Sequence, residues 1–439
     1  MELLASSTGI QVYVDHSKDD ACGVGFKHLT PVHEALRIVV DHLSERITDI
    51  EILPLSAVLG RVIAEDVVSP VHLPPFNRAA MDGYAVFAED TMGASTTAPV
   101  PLRLTGSIGI GVAPKIRLNR GEALAIVTGG QIPEGANAVA MIEFTKSSET
   151  IVEVSTELHP NENVSCIGED VTKGSVILRK GTRILPQDIG MLTYLGFNRI
   201  SILRQPRIAI LSTGNELQKE LSGTLVPGKI PDVNRPVLIN AVKDYGCEPI
   251  DLGIAPDDYN TIRNRIDEGL NVGDVVLVTA GTSVGPGDIV PKVVNSLGSP
   301  GMLVHGVAMR PSMPVGLAVV NGKLILSLPG YPVSAYLAFL EFFPTLVSRL
   351  LGSDFMPRPK VKAKLSRRIA GILGSKTYVR VRVNETDHGL IADPVRTSGA
   401  GILSSLVQAN GFIIIPEQVE GYEESEFVDV ELFRPMERI

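Results

Sequence analysis

Three runs between residues 206 and 351 constrain the fold more than any other feature. They are Arg207-Ile208-Ala209-Ile210-Leu211-Ser212-Thr213, Pro249-Ile250-Asp251-Leu252-Gly253 and Asp274-Val275-Val276-Leu277-Val278-Thr279. The first and third are apolar at nearly every position, so they read as strands buried on both faces. Pro236 to Tyr245 and Asp257 to Glu268 follow as helices. Strands of this kind alternating with helices predict a doubly wound α/β domain over residues 206–352. In such sheets a ligand binds beyond the carboxyl ends of the strands.

The rest of the 439 residues surrounds that domain. A helix is expected over 30–48, with Thr30 as N-cap, Pro31 in the first turn and Glu34 completing a capping box. From about 84 to 160, short alternating runs broken by Gly and Pro predict a small β module. The stretch 165–205, with a helix from Gln187 to Leu195, is expected to pack back against the first helix. The β module (71–164) is then an insertion into a discontinuous first domain (28–70 and 165–205). Runs at Val361–Leu365, Tyr378–Val383, Gly411–Ile415 and Phe427–Leu432 predict a C-terminal β domain over 353–439. Residues 1–27 read as a flexible extension.

A net charge of −9 argues against a nucleic-acid partner, and an anionic ligand would need backbone N–H groups, a few cations and a bridging divalent metal. Cys22, Cys166 and Cys247 lack CxxC spacing and read as ordinary thiols of a reducing compartment. The eight His show no zinc-site grouping. The longest apolar run, Val333–Val347, contains Glu341 and Pro344 and falls short of the ~20 residues of a membrane span. With no leader-like N-terminus, the expectation is a cytoplasmic chain with no membrane partner.

Four loops combine Gly, Ser or Thr and carboxylates. They are Ser212-Thr213-Gly214-Asn215-Glu216, Pro231-Asp232-Val233-Asn234-Arg235, Ala280-Gly281-Thr282-Ser283-Val284-Gly285-Pro286-Gly287-Asp288 and Leu328-Pro329-Gly330-Tyr331-Pro332-Val333-Ser334. Glycines let backbone N–H groups converge on an anion, and a following helix N-terminus adds a favourable dipole. No Gly-Lys-Ser/Thr follows, so none is a Walker A loop. Each loop alone is also explained as a strand-to-helix turn, Asp232 as a helix N-terminal charge and Asp288 as an N-cap. Together they point to a phosphate-bearing ligand, with Glu216, Asp232 and Asp288 suited to Mg²⁺. Met81-Asp82-Gly83-Tyr84 reads by itself as Asp-Gly hairpin chemistry.

The run Pro75-Phe76-Asn77-Arg78-Ala79-Ala80-Met81-Asp82-Gly83-Tyr84-Ala85-Val86 closely resembles the signature of the MoeA/gephyrin E-domain family. Val127-Thr128-Gly129-Gly130, Pro133-Glu134-Gly135-Ala136, Gly168-Glu169-Asp170 and three of the loops above match in the same order, over residues 28 to about 435. The resemblance implies a multidomain α/β plus β fold: a discontinuous first domain, an inserted β domain, a MogA-like doubly wound α/β domain and a C-terminal β-barrel. It implies an elongated homodimer, with the cleft between the α/β domain of one subunit and the β domain of the other. It also implies a transferase that inserts molybdate or tungstate into adenylylated molybdopterin with Mg²⁺ and releases AMP, with a molybdopterin adenylyltransferase as a further partner. Carried over, Asp82, Glu216, Asp232 and Asp288 are the catalytic set, and Glu216, Asp232 and Asp288 the metal set. Thr128, Asp170, Gly214, Gly281, Ser283, Gly285, Arg310, Pro329, Gly330, Pro332 and Ser334 are the substrate-binding set.

The chain departs from the family where the oxyanion is expected. The family commonly shows Lys-Pro-Gly-Lys-Pro, and here the run is Arg310-Pro311-Ser312-Met313-Pro314. A Met cannot donate to an oxyanion. Tyr331 stands where Asn is usual, and a common Ser is missing near Thr397-Ser398-Gly399-Ala400-Gly401. Two alternatives stay open: a paralogue that hydrolyses the adenylylated pterin without inserting metal, and a binding or scaffold protein.

Overall fold

The computed structural model describes residues 26, 28–43, 46–218, 226–280, 289–396 and 399–438. These form two compact units, one made of the described residues up to Ile47 with those from Arg204 onward, the other of Thr48–Leu203.

In the first unit, the strand Arg207–Thr213 sends Ile208 and Ile210 to one face and Ala209 and Leu211 to the other. The strand Val275–Thr279 divides the same way, Val275 and Leu277 against Val276 and Val278. This period-2 division needs apolar cover on both sides, which explains the continuous apolar runs. Helices Asn234–Asp244 and Pro332–Leu351 cover one face, and Tyr259–Val272 with Val290–Leu297 the other. The helix Val32–His42 buries Val32, Ala35 and Val39 in the first of these cores, where the sequence reading places it with residues 165–205.

The sheet has six strands. Glu248–Ala255, Arg207–Thr213, Val275–Thr279 and Lys323–Leu328 are parallel neighbours in that order. Gly316–Val320 and Pro300–His305 then extend it antiparallel, so the sheet is mixed. Asn321 (φ 50°) and Gly322 (φ 84°) join the last hairpin, the two positive-φ residues that a tight primed turn demands.

Thr30 forms no capping box. The N-cap is Pro31, without a side-chain bond, because Thr30 is drawn into a backbone bridge, its N–H to Gly306 O (3.1 Å) and its carbonyl from Ala308 N (2.8 Å). Helix Pro332–Leu351 is long and apolar enough to span a membrane, yet 67% of its most apolar stretch is buried inside the protein. It is the core helix of this unit, with Phe339, Phe342 and Phe343 fully enclosed.

The same unit ends in a closed barrel of five strands: Lys360–Leu365, Lys376–Thr386, Gly389–Arg396, Gly411–Ile415 and Phe427–Leu432. The second strand pairs with both the third and the fourth, which closes the ring. Its interior holds Ala363, Leu365, Val379, Val381, Val383, Ile413 and Val430.

In the second unit, Ile50–Pro54 pairs with Arg199–Leu203 and Val67–Val68 with Val176–Leu178. Val58, Ile63, Ile184, Leu192 and Ile202 are buried between them. The intervening chain forms a six-stranded sheet in the order Ala138–Met141, Gly83–Val86, Glu122–Ile126, Val100–Ile108, Ile151–Val154, Thr145–Ser147.

Candidate functional site

Beyond the carboxyl ends of strands 207–213, 275–279 and 323–328, the first unit opens into a cleft of about 700 Å³. That volume falls in the range of small-molecule sites. Thr213, Thr279 and Ala280 line it from the strand ends, and Pro329, Gly330, Tyr331 and Pro332 from the turn into the core helix. Glu216, Leu217, Ile230, Pro231, Asp232, Val233 and Asn234 form another side, and Pro314 and Gly401 complete the described lining.

Buried hydroxyls tie the strand ends together. Thr213 Oγ1 donates to Thr279 O at 3.2 Å, and Thr279 Oγ1 lies 3.1 Å from Ser212 Oγ. Gly214 follows at φ 149°, and the Glu216 carboxylate folds back over it. Both carboxylate oxygens lie 2.8 Å from the position a Cβ on Gly214 would take. The φ of 149° lies where L side chains are strained, so the backbone favours glycine there, while the Glu216 side chain remains exposed on the cleft wall and free to swing aside.

Asp232 is engaged differently. Its Oδ1 accepts the Arg235 N–H at 3.2 Å and its Oδ2 accepts Arg235 Nε at 3.0 Å. The side chains are 2% and 9% exposed respectively. This is the helix N-terminal role combined with a buried ion pair. Arg235 also donates to Asp251. Burial alone would lower the Arg235 pKa, but the bonds and charges of Asp251 and Asp232 outweigh it and hold the guanidinium above its ordinary value. Next to it, Asn234 Nδ2 donates to Gly330 O at 2.7 Å, fixing the fourth loop. Among the described residues no group of three or more His, Cys, Asp or Glu converges as a metal site. Gly281, Ser283, Gly285 and Asp288 lie outside the described residues, as do Thr397 and Ser398.

Pro329, Gly330 and Pro332 meet Glu216 and Asp232 on this cleft, with Gly214 beneath Glu216. Ser334 is buried one turn into the helix, its carbonyl accepting Ser312 Oγ at 2.7 Å. Ser312 sits at φ 107°, where the family pattern has Gly. Arg310 is exposed beside the barrel, pairing in register with Thr377. Neither Ser334 nor Arg310 is on the described cleft lining.

In the second unit, Asp82 precedes strand 83–86 and Thr128 follows its antiparallel neighbour 122–126, so both lie beyond the same end of these two neighbouring strands. Asp82 Oδ1 accepts the Thr128 N–H at 2.6 Å and its hydroxyl at 2.7 Å. These two bonds, the backbone one first, hold the Asp82 pKa below the ordinary carboxylate value. Gly83 is not a turn residue. A Cβ there would lie 1.9 Å from Ala140 O, so the strand can enter the sheet only as glycine. The segment before it is held between two others. Ala79 N donates to Gly130 O and Ala80 N to Asn163 O, at 2.8 and 2.9 Å. Asp170 is exposed, its N–H donating to Leu73 O at 3.0 Å.

Arg235, Asn234 and Thr279 escape sequence reasoning. A sequence gives a residue's chemical type, but not that Arg235 neutralises Asp232 three positions away. The i, i+3 spacing at a helix start is the signal that could have found that pair.

Three family models match in chain order: the MoeA N-terminal region (domains I and II) over residues 30–196, a probable molybdopterin binding domain over 209–348, and the MoeA C-terminal region (domain IV) over 362–433. A protein of Methanocaldococcus jannaschii named for molybdopterin biosynthesis is 39% identical over 93% of this chain and 99% of its own length. A molybdopterin molybdenumtransferase of Bacillus subtilis is 34% identical over 92% of this chain and 94% of its own. A crystal structure of the MoeA protein of Pyrococcus horikoshii superimposes with a TM-score of 0.80 at 35% identity, covering 92% of this chain and 100% of that one. Three regions in the same order and identity above 30% along nearly the whole length show that this chain belongs to the MoeA family.

Proposed function

We propose that this chain is a molybdopterin molybdenumtransferase of molybdenum cofactor biosynthesis, inserting molybdate or tungstate into adenylylated molybdopterin with release of AMP. The observation that carries the reading is the cleft of about 700 Å³ at the strand ends of the region matched as molybdopterin binding, with Glu216 on its wall. A transferase of this name among relatives covered almost end to end supports it.

The donor set supports a role for Mg²⁺, which takes one or two carboxylates together with substrate phosphate oxygens and water. Glu216 is exposed and would hold the ion. Asp232, committed to Arg235, would orient the wall and the start of its helix. Bound there, Mg²⁺ would neutralise charge on the phosphates of the substrate. The backbone amides of Gly281, Ser283 and Gly285 would cradle a phosphate, with Asp288 as a further carboxylate. Asp82, kept ionised by Thr128, would act as an acceptor for a substrate hydroxyl or amine. We infer a homodimer, the assembly the family resemblance implies, in which the β module of one copy, with Asp82, Thr128 and Asp170, serves the cleft of its partner. A cytoplasmic location and a molybdopterin adenylyltransferase as supplier belong to the same reading.

Met313 favours a second reading. It stands where the family pattern supplies a cation, and its carbonyl accepts Val307 N and Val315 N at 2.9 and 3.0 Å. A site without that cation fits hydrolysis of the adenylylated pterin without an oxyanion. The test is AMP release from adenylylated molybdopterin with Mg²⁺ and either no oxyanion, molybdate or tungstate. Stimulation by one oxyanion, lost in Asp288→Ala, is the expected result. Release indifferent to both oxyanions refutes insertion in favour of hydrolysis, and no release refutes both.

A further inference from the structure

Among the described lining residues of the cleft, Tyr331 alone is aromatic. It is also 67% exposed, in a chain that encloses Phe339, Phe342 and Phe343 completely a few residues on. Its backbone is fixed on both sides. Tyr331 O accepts Ala335 N at 2.9 Å as the core helix begins, and the preceding Gly330 carbonyl is held by Asn234. The ring itself leans on Gly401, where an added Cβ would come within 3.2 Å of Cδ1 and 3.5 Å of Cε1. The loop that carries Gly401 is tied to the same helix by Val333 N to Ala400 O at 3.0 Å. A large ring is thus held by fixed backbone and backed by a residue without a side chain, with most of its surface open at the mouth of the cleft. Pro329, Pro332 and Pro314 extend its apolar surface.

We propose that Tyr331 is a specificity-determining residue, the stacking face for the planar nitrogen heterocycle of a phosphate-bearing ligand in this cleft. The inference rests on the proposed function, which supplies two such heterocycles, the adenine of the departing AMP and the pterin. Stacking suits the position, because every such ring presents a π-face and an aromatic platform needs no particular hydrogen-bond pattern. No Lys or Arg stands on the described lining, so affinity for the ring falls to the aromatic and proline surface.

The chain contains no Trp, so Tyr331→Trp introduces its only tryptophan at the proposed contact, where that emission can be followed selectively. AMP is expected to quench it saturably, and ribose 5-phosphate, which lacks the base, to leave it unchanged. Calorimetry with AMP and with 6-hydroxymethylpterin on wild type, Tyr331→Phe and Tyr331→Ala identifies the ring. The heterocycle that stacks should lose about tenfold in affinity in the Ala variant and stay within about twofold in the Phe variant. Loss with AMP assigns adenine, and loss with the pterin assigns the pterin. Equal affinity of wild type and Tyr331→Ala for both probes overturns the proposal, as does a wild type that binds neither. AMP release with an unchanged KM in Tyr331→Ala removes the stacking role while the proposed function stands. Tyr331-dependent binding without AMP release removes the proposed function and leaves the stacking role.

Discussion

Replacing Arg235 by Met removes the cation facing Asp232, whose side chain is 2% exposed. Breaking a buried ion pair from one side costs about 3–5 kcal/mol, because the remaining charge keeps its desolvation penalty and loses its partner. The Asp251 contact adds little, since that carboxylate is 44% exposed and such pairs are worth at most about 1 kcal/mol. Asp232 also keeps the Arg235 backbone N–H at 3.2 Å, which survives the substitution. The expected loss is therefore near the lower bound, about 3 kcal/mol. A chain of several domains does not unfold in one step, so the local readout is hydrogen exchange in the helix Asn234–Asp244. At 1.4 kcal/mol per decade, exchange there should accelerate by roughly a hundredfold. The double variant Asp232→Leu/Arg235→Met removes both charges and should recover most of the protection. Exchange within about threefold of wild type in the single variant, or a double variant no better than the single, would refute the account of this pair.

Thr128→Val removes the hydroxyl donor but keeps the stronger backbone bond, so the Asp82 pKa should rise part of the way toward its ordinary value in a carboxyl ¹³C NMR titration. Because the folded pKa is depressed, the Thr128 contribution is present above the unfolded carboxylate pKa and is lost as the pH falls through the folded one; an unmoved titration would discredit the assignment. Gly83→Ala places a methyl 1.9 Å from Ala140 O and should destabilise the β module by about 2–3 kcal/mol, seen as faster exchange in residues 138–141. Glu216→Gln should weaken Mg²⁺ binding by calorimetry while Asp232→Asn leaves it within a few-fold, and the reverse pattern would exchange their roles. Phe339→Ala, in a fully buried stack with Phe343 at 4.4 Å, should cost about 3–5 kcal/mol and lower the main calorimetric transition.

What could be read from the sequence follows from how local the physics is. The buried strands at 207–213 and 275–279 were legible because a two-sided sheet demands apolar residues at every position. The barrel strands were legible within a few residues because their alternation is local. The strand Gly389–Arg396 has Asp393 and Pro394 within it and gives no such pattern. The antiparallel hairpin over 316–328 interrupts the βα alternation, and its one local mark is Asn321-Gly322, the residue pair of a two-residue primed turn. Thr30 has every mark of an N-cap, yet its backbone is claimed by Gly306 and Ala308, far away in sequence.

The same division runs through the site. Glycines and prolines on the loops disclose where the chain must turn, and so where a cleft can open. Which carboxylate is available within that cleft depends on its partner, and the i, i+3 spacing of Asp232 and Arg235 offers a candidate without showing that the pair is buried. Glu216 and Asp232 look equivalent as sequence, but one is exposed over a glycine and the other is neutralised by Arg235. Gly83 makes the point in reverse. Asp-Gly suggests a turn through torsional freedom, whereas the glycine is required because a neighbouring carbonyl occupies the space of its side chain. Its φ is not positive, so the constraint is steric and arises only once Ala138–Met141 lies alongside. The Asp82 position therefore depends on strand packing that forms with the sheet, which is why a residue identified by a four-residue motif owes its geometry to a strand more than 50 residues away.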